Sequence, residues 1–196
     1  MLGVVEDHPY GIFVPPRASK MIIGTFPIGK FTNPKRRHEI KEHEFDFYYG
    51  GEMNHLWKVL ALTFNTELSN KEQIVSFLEK EKIAMADVIE SCQREDGRAD
   101  DSKLKNIKWN TELHQSIIQN KIKSLYFTSK QVEKWFHRHI GSVEGVKETV
   151  LVSPSGSGLR SIGRNQDFKD WQAQKPGRTA TEYRIYAYKR DFFGTV

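Results

Sequence analysis

Residues Met21–Phe26 read MIIGTF. The run is too short for an ordinary helix and lacks the polar alternation of a strand with one wet face. It suits a strand covered on both faces, as in a parallel sheet. Three other runs share its character: Ile83–Ile89 (IAMADVI), Ser124–Thr128 (SLYFT) and Glu148–Ser153 (ETVLVS). Helical spacing fills the intervals. Leu56, Trp57, Leu60, Ala61 and Phe64 follow Asn54, and Ile74, Phe77 and Leu78 follow Asn70, with Gln73 at capping-box spacing. Leu113, Ile117 and Ile118 follow Asn110 and Thr111. Val132, Trp135, Phe136 and Ile140 follow Ser129, with Gly141 as a stop. This alternation predicts one α/β domain over residues 1–196, a three-layer α/β/α sandwich with a central four-stranded parallel sheet. Glu182–Phe193 (EYRIYAYKRDFF) alternates and reads as an additional C-terminal edge strand.

Composition agrees with one core. The chain has 196 residues, 30 Lys+Arg against 25 Asp+Glu, and 38% hydrophobic residues. A compact chain of this length buries roughly 70% of its unfolded surface. A disordered or low-complexity chain would lack such core formers. The lone Cys92 excludes a disulfide framework and a cysteine-based zinc site. The start, MLGVVEDHPYG, has no basic segment followed by an apolar run, and no apolar stretch approaches the ~18 residues that cross a bilayer. We therefore expect a cytoplasmic domain. The net charge of +5 is compatible with an anionic partner.

Three segments remain as loops: Pro27–Gly51, Ser91–Lys108 and Ser153–Arg164. In a parallel sheet all three follow strand ends, where open α/β sheets bind ligands. Gly24–Lys30 (GTFPIGK) has the G-x-x-x-x-G-K spacing of a phosphate loop, but Phe31 stands where a magnesium-binding hydroxyl is needed. Pro27 also removes a backbone donor. A tight turn carrying a pocket wall fits better. Phe45–Trp57 (FDFYYGGEMNHLW) is the densest aromatic stretch. It reads either as a stacking pocket in which Asn54 offers donor and acceptor, or as core aromatics with an Asn helix cap. Ser153–Gly158 (SPSGSG) reads as a backbone nest for a phosphodiester or as a flexible turn. His38, His43, His137 and His139 lack a carboxylate spacing that completes a metal site and read as solvated surface.

Four pieces, in order, resemble the uracil-DNA glycosylase superfamily, closest to its hypoxanthine- or uracil-DNA glycosylase branch. They are IIGTFP (Ile22–Pro27), FYYGGEMNHLWKVL (Phe47–Leu60), ADVIESCQRE (Ala86–Glu95) and VSPSGSG (Val152–Gly158), and the likeness covers most of the chain from His8 to Trp171. The resemblance implies hydrolysis of the N-glycosidic bond of a deaminated base, uracil or hypoxanthine, flipped out of DNA without metal or cofactor. It implies Asn54 as the catalytic residue, and a base pocket of Thr25, Phe26, Pro27, Tyr48 and Tyr49, with Thr128 and Ser129 facing the base. It implies DNA contacts from Ser153, Pro154, Ser155, Ser157 and Arg160, with Leu159 as the wedge in the vacated stack. The expected partner is DNA, single- or double-stranded, and the expected state a monomer. Many superfamily members place Asp or Asn where this chain has Phe26, and end the base-reading strand in Asn where this chain has Thr128. A non-catalytic nucleic-acid or nucleotide-binding module on the same scaffold is the alternative that these departures favour.

Overall fold

The four apolar runs become the four strands of one parallel sheet. The computed structural model describes residues 4–94 and 101–194, without the side chains of Leu159 and Arg160. In chain order its elements are β1 (Val5–Asp7), β2 (Lys20–Gly24), α1 (Gly29–Thr32), α2 (Leu56–Phe64), α3 (Lys71–Glu81), β3 (Ile83–Asp87), β4 (Ile89–Arg94), β5 (Leu104–Trp109), α4 (Glu112–Gln119), β6 (Ser124–Phe127), α5 (Lys130–His139), β7 (Lys147–Val150), α6 (Gly156–Ser161), α7 (Gln166–Ala173) and α8 (Ala180–Phe193). The parallel sheet has the order β3-β2-β6-β7.

Alternate residues of each strand enter different cores, which is why the runs are continuous. Met21, Ile23, Ala84, Ala86, Leu125 and Phe127 pack with α4 and α5 through Leu113, Ile117, Val132 and Phe136. Ile22, Ile83, Met85 and Tyr126 pack on the other side with α2, α3 and α8 through Leu56, Leu60, Ile74, Leu78 and Tyr188. Helices on both faces leave neither side of the sheet wet. The expected starts hold for two helices: Asn70 Oδ1 accepts from Gln73 N and Ser129 Oγ from Val132 N. Among the described residues, no helix is long and apolar enough to cross a membrane.

Two expectations are corrected. Glu182–Phe193 is not an edge strand; it lies in α8, the longest helix of the fold. Thr179 and Glu182 form a reciprocal capping box, and Tyr183, Arg184, Ala187 and Tyr188 are buried at helical spacing. The aromatic alternation of EYRIYAYK is incidental to a helix with one buried face. Ser91–Lys108 is not a simple loop either. Of its described parts, Asp101–Lys103 form a 3-10 turn and the rest belong to β4 and β5, which join β1 in a second, antiparallel sheet of order β1-β4-β5. The chain turns from one sheet into the other at Val88, whose N–H donates to Gly24 O at 3.0 Å and whose carbonyl accepts from Asn110 N at 2.9 Å. That bend puts Asp87 at the end of a parallel strand with its carbonyl held by Asn110 Nδ2 at 3.1 Å.

Candidate functional site

A cleft of about 660 Å³ opens beyond the carboxyl ends of the parallel strands. Thr25, Phe26 and Pro27 enter it after β2, and Asp87 at the end of β3. Tyr49, Met53 and Asn54 enter from the segment before α2, Ser155 from the turn after β7, and Ser157 from the start of α6. The face anticipated from the strand-end rule is the face that carries the cleft.

Asn54 is built into this wall twice. Its backbone pairs with Ser155 in an isolated antiparallel bridge, flanked by His55 N to Pro154 O at 3.0 Å and Gly156 N to Met53 O at 3.3 Å. Its side-chain Oδ1 accepts from Leu56 N at 2.9 Å. The helix cap proper is His55, which makes no side-chain cap bond, so Asn54 supplies the acceptor from one residue earlier. Among the described residues Nδ2 has no hydrogen-bond partner. The amide plane is thus fixed by its oxygen while its donor end stays available, so the two readings of Asn54 are compatible. Burial lowers the His55 imidazole below its ordinary value, and Arg184 and Lys58 add to the effect.

Asp87 has no counterpart among the anticipated site residues. It is 4% exposed, ends a strand that is otherwise apolar, and lines the cleft. His8 Nε2 lies 3.0 Å from its Oδ2. His8 Nδ1 accepts from Tyr10 N at 3.2 Å and Gly11 N at 3.1 Å, which leaves the ring proton on Nε2, aimed at Asp87. Asp87 Oδ1 is buried and has no hydrogen-bond partner among the described residues. A carboxylate oxygen in that state is an acceptor held ready for a ligand or a water. Phe26 packs edge-on against the His8 ring with centroids 5.8 Å apart.

Tyr49 reaches the cleft past Gly24. A Cβ at position 24 would overlap Tyr49 Oη and Asp87 Oδ1, so glycine is what lets both reach the end of β2. Tyr49 holds φ at +56°, a left-handed conformation that a bulky residue rarely adopts. Its hydroxyl donates to Thr128 Oγ1 at 3.4 Å. Burial and the neighbouring Asp87 push the Tyr49 phenol well above its ordinary value, so it stays a neutral donor.

The serine turn is tied internally. Ser153 Oγ and Ser155 Oγ are 3.1 Å apart, Ser155 Oγ and Ser157 Oγ 3.0 Å, and Gly158 N donates to Ser155 Oγ at 3.0 Å. Behind it stands Arg184 of α8, 1% exposed, whose Nη2 donates to Ser155 O at 2.7 Å. Its Nε is buried without a partner, and no carboxylate pairs with it among the described residues. Burial pulls this guanidinium below its usual value.

Other anticipated residues are occupied elsewhere. Tyr48 is buried under the wall, its hydroxyl on Gly11 O and its own carbonyl accepting Trp57 Nε1 at 2.7 Å. Thr128 Oγ1 donates to Ile23 O at 3.2 Å, and Ser129 caps α5; neither lines the cleft. Ser153 and Pro154 do not line the cleft. The side chains of Leu159 and Arg160 lie outside the described residues. Much of the basic loop is neutralised: Lys30 pairs with Glu44 at 2.5 Å, Arg36 with Glu39 at 2.7 Å, and Arg37 with Asp46. Lys30 is therefore not a phosphate-loop lysine.

The histidine reading also changes. Glu133, His137 and Glu148 bring one ligand atom each within 4.8 Å of one another, a convergence of α5 and β7 that the spacing did not suggest. His137 Nε2 is 3.0 Å from Glu148 and Nδ1 is 3.0 Å from Ser142 Oγ, so ordinary surface pairing accounts for it.

No family model matches the sequence, and no curated protein matches it. Solved structures do. One is a solution structure of a "putative Uracil DNA glycosylase" from Methanosarcina acetivorans, similar with a TM-score of 0.58 and 16% identity over 95% of this chain and 98% of that one. At that identity the likeness establishes the α/β/α fold.

Proposed function

We propose that this protein is a DNA glycosylase of the uracil-DNA glycosylase superfamily, near its hypoxanthine/uracil branch, hydrolysing the N-glycosidic bond of a deaminated base turned out of DNA. The observation that carries the reading is Asn54: an amide clamped by Leu56 N, with its donor end unpartnered, on the wall of a strand-end cleft. The similarity in fold to a protein named for this activity supports it.

The bond breaks with the electron pair going to the base nitrogen, while the sugar becomes oxocarbenium-like and takes hydroxide from a water, whose proton goes to the departing base anion. Asn54 Nδ2 donates to a carbonyl oxygen of the base as negative charge builds there. The second lone pair of Asn54 Oδ1 is an acceptor for the attacking water. Phe26 and Tyr49 supply the aromatic walls. Asp87 Oδ1 accepts an N–H from the edge of the base, and His8 holds the other carboxylate oxygen so that this one faces inward. Ser155 and Ser157 take the flanking phosphates, with Arg184 adding positive potential from behind. Thr25 and Pro27 shape the mouth.

The test is release of free base from oligonucleotides carrying uracil or hypoxanthine, single-stranded and duplex. Release that disappears with Asn54→Ala is expected. Binding without release from any lesion would replace the reading with the non-catalytic module, which Phe26 and Thr128 favour.

A further inference from the structure

Glu6 is the buried residue of β1, and Arg94 ends β4. Their side chains are 3% and 1% exposed, and Arg94 Nε donates to Glu6 Oε2 at 3.0 Å. An ion pair taken out of water gains little over well-packed apolar side chains, so its place in the second sheet calls for another reason. That reason lies in what else the pair holds. Arg94 Nη2 donates to Pro27 O at 2.7 Å, and its guanidinium carbon stands 5.8 Å from the centroid of the Phe26 ring. Thr32 Oγ1 donates to the same Glu6 oxygen at 2.6 Å. The pair therefore grips the segment after β2 at two points, Pro27 and the last residue of α1. Pro27 carries no N–H, so its carbonyl is the backbone group by which it can be tied. Phe26 and Pro27 line the cleft, whereas Glu6 and Arg94 do not.

We infer that Arg94 is a positioning residue for base binding: through the Pro27 carbonyl and the Phe26 ring it sets the aromatic wall against which the base lies. The inference rests on the glycosylase reading above, in which Phe26 is a wall, and adds to it a residue outside the cleft. A wall that meets the base before and during bond cleavage contributes equally to both states. Arg94 therefore acts on binding rather than on the chemical step. The role needs a guanidinium. Its rigid fork gives Nε to Glu6 and Nη2 to Pro27 at once, whereas a lysine ammonium is a compact point charge without that fixed second donor.

The test is single-turnover base release from single-stranded oligonucleotides carrying uracil or hypoxanthine, over a series of enzyme concentrations. The series separates the half-saturating concentration from the maximal rate. Arg94→Lys keeps a cation for Glu6 and is expected to raise the half-saturating concentration about fivefold or more, with the maximal rate changed less than about twofold. Phe26→Leu is expected to raise it too. The two substitutions combined are expected to add less than about twofold to the worse single one, because Arg94 acts through Phe26. Removing Arg94 alone would strand a buried carboxylate, so the second variant replaces the pair together, Glu6→Leu with Arg94→Met. Apolar side chains of similar volume are expected to hold the thermal midpoint and still weaken binding. A paired variant with wild-type midpoint and wild-type binding would make the pair a structural cross-link and overturn the inference. So would a fall in maximal rate at unchanged half-saturation, or fully multiplicative effects of Arg94→Lys and Phe26→Leu. If the paired variant does not fold, the Arg94→Lys and Phe26→Leu cycle decides. If the wild type releases neither base, the glycosylase reading itself falls and takes the inference with it. That outcome is distinct because it appears before any variant is compared.

Discussion

His8 Nε2 and Asp87 Oδ2 stand 3.0 Å apart where Asp87 lines the cleft, although 79 positions separate them in the chain. The histidine comes from the segment after β1 and the aspartate from the end of β3. Their contact fixes one carboxylate oxygen and leaves the other unpartnered. The pair is a device for presenting a single acceptor.

Asp87→Asn tests that device. An amide oxygen still accepts from His8 Nε2, so folding is expected to survive, while the atom facing the cleft changes from acceptor to donor. The expected outcome is a changed order of released bases across a lesion panel, with loss of bases that offer an N–H edge. An unchanged order would remove Asp87 from base recognition.

Asn54 separates into two functions by substitution. Asn54→Asp keeps the acceptor for Leu56 N and removes the Nδ2 donor. It is expected to hold the thermal midpoint yet slow base release by about tenfold or more, each tenfold being about 1.4 kcal/mol of barrier. Asn54→Ala also loses the acceptor, and about 1 kcal/mol of stability with it. Wild-type turnover in a folded Asn54→Ala protein would end its assignment as the catalytic residue.

Gly24→Ala forces a methyl group onto Tyr49 Oη and Asp87 Oδ1 at the buried end of β2. Overpacking of this sort destabilises by roughly 1–3 kcal/mol. A chemical-denaturation midpoint that falls, with base release lost from the fraction still folded, is expected. Pairing it with Tyr49→Phe relieves only the hydroxyl, so rescue is expected to be partial.

Arg184→Met replaces a buried guanidinium that has no carboxylate partner among the described residues. Removing an unpaired buried charge need not destabilise a protein. The thermal midpoint is expected to stay level or rise, while affinity for a short oligonucleotide weakens and its salt dependence flattens. A large loss of stability with unchanged affinity would make Arg184 a purely structural strut for Ser155.

Cys92 contributes to the alkaline limb of stability. Burial pushes its thiol up to about 11, with Glu6 and Asp101 adding to the rise against Arg94. The unfolded thiol ionises near 8.5. Between those values the folded state binds more protons than the unfolded state, so stability falls as pH rises, by up to about 1.4 kcal/mol per unit. Cys92→Ala is expected to flatten that slope relative to the wild type, and iodoacetamide at pH 8 to label native protein far more slowly than unfolded protein.

The order of elements was legible in the chain because its signals are local or periodic. A strand covered on both faces must be apolar at consecutive positions, and MIIGTF, IAMADVI and SLYFT are. Asn70 and Ser129 bond the backbone three residues on, so their caps are visible at short range. The capping box of Thr179 and Glu182 is just as local, and weighing it above the aromatic alternation of EYRIYAYK would have identified α8. Asp87 carried a signal as well, an acid at the end of an otherwise apolar run.

The sequence by itself determined a parallel α/β core, the face on which a site would form, and the candidacy of Asn54. Tertiary structure alone decided which polar groups remain available there. Thr128 and Ser129 lie at a strand end as anticipated, but the register of β6 against β2 gives one to Ile23 O and the helix cap takes the other. Asp87 becomes a presented acceptor only because His8 arrives from the other sheet, and Asn54 meets Ser155 across roughly half the chain. A hydrogen-bonding group is functional when nothing nearer claims it, and rival claims between residues 79 or 105 positions apart are settled by packing, which no local pattern encodes.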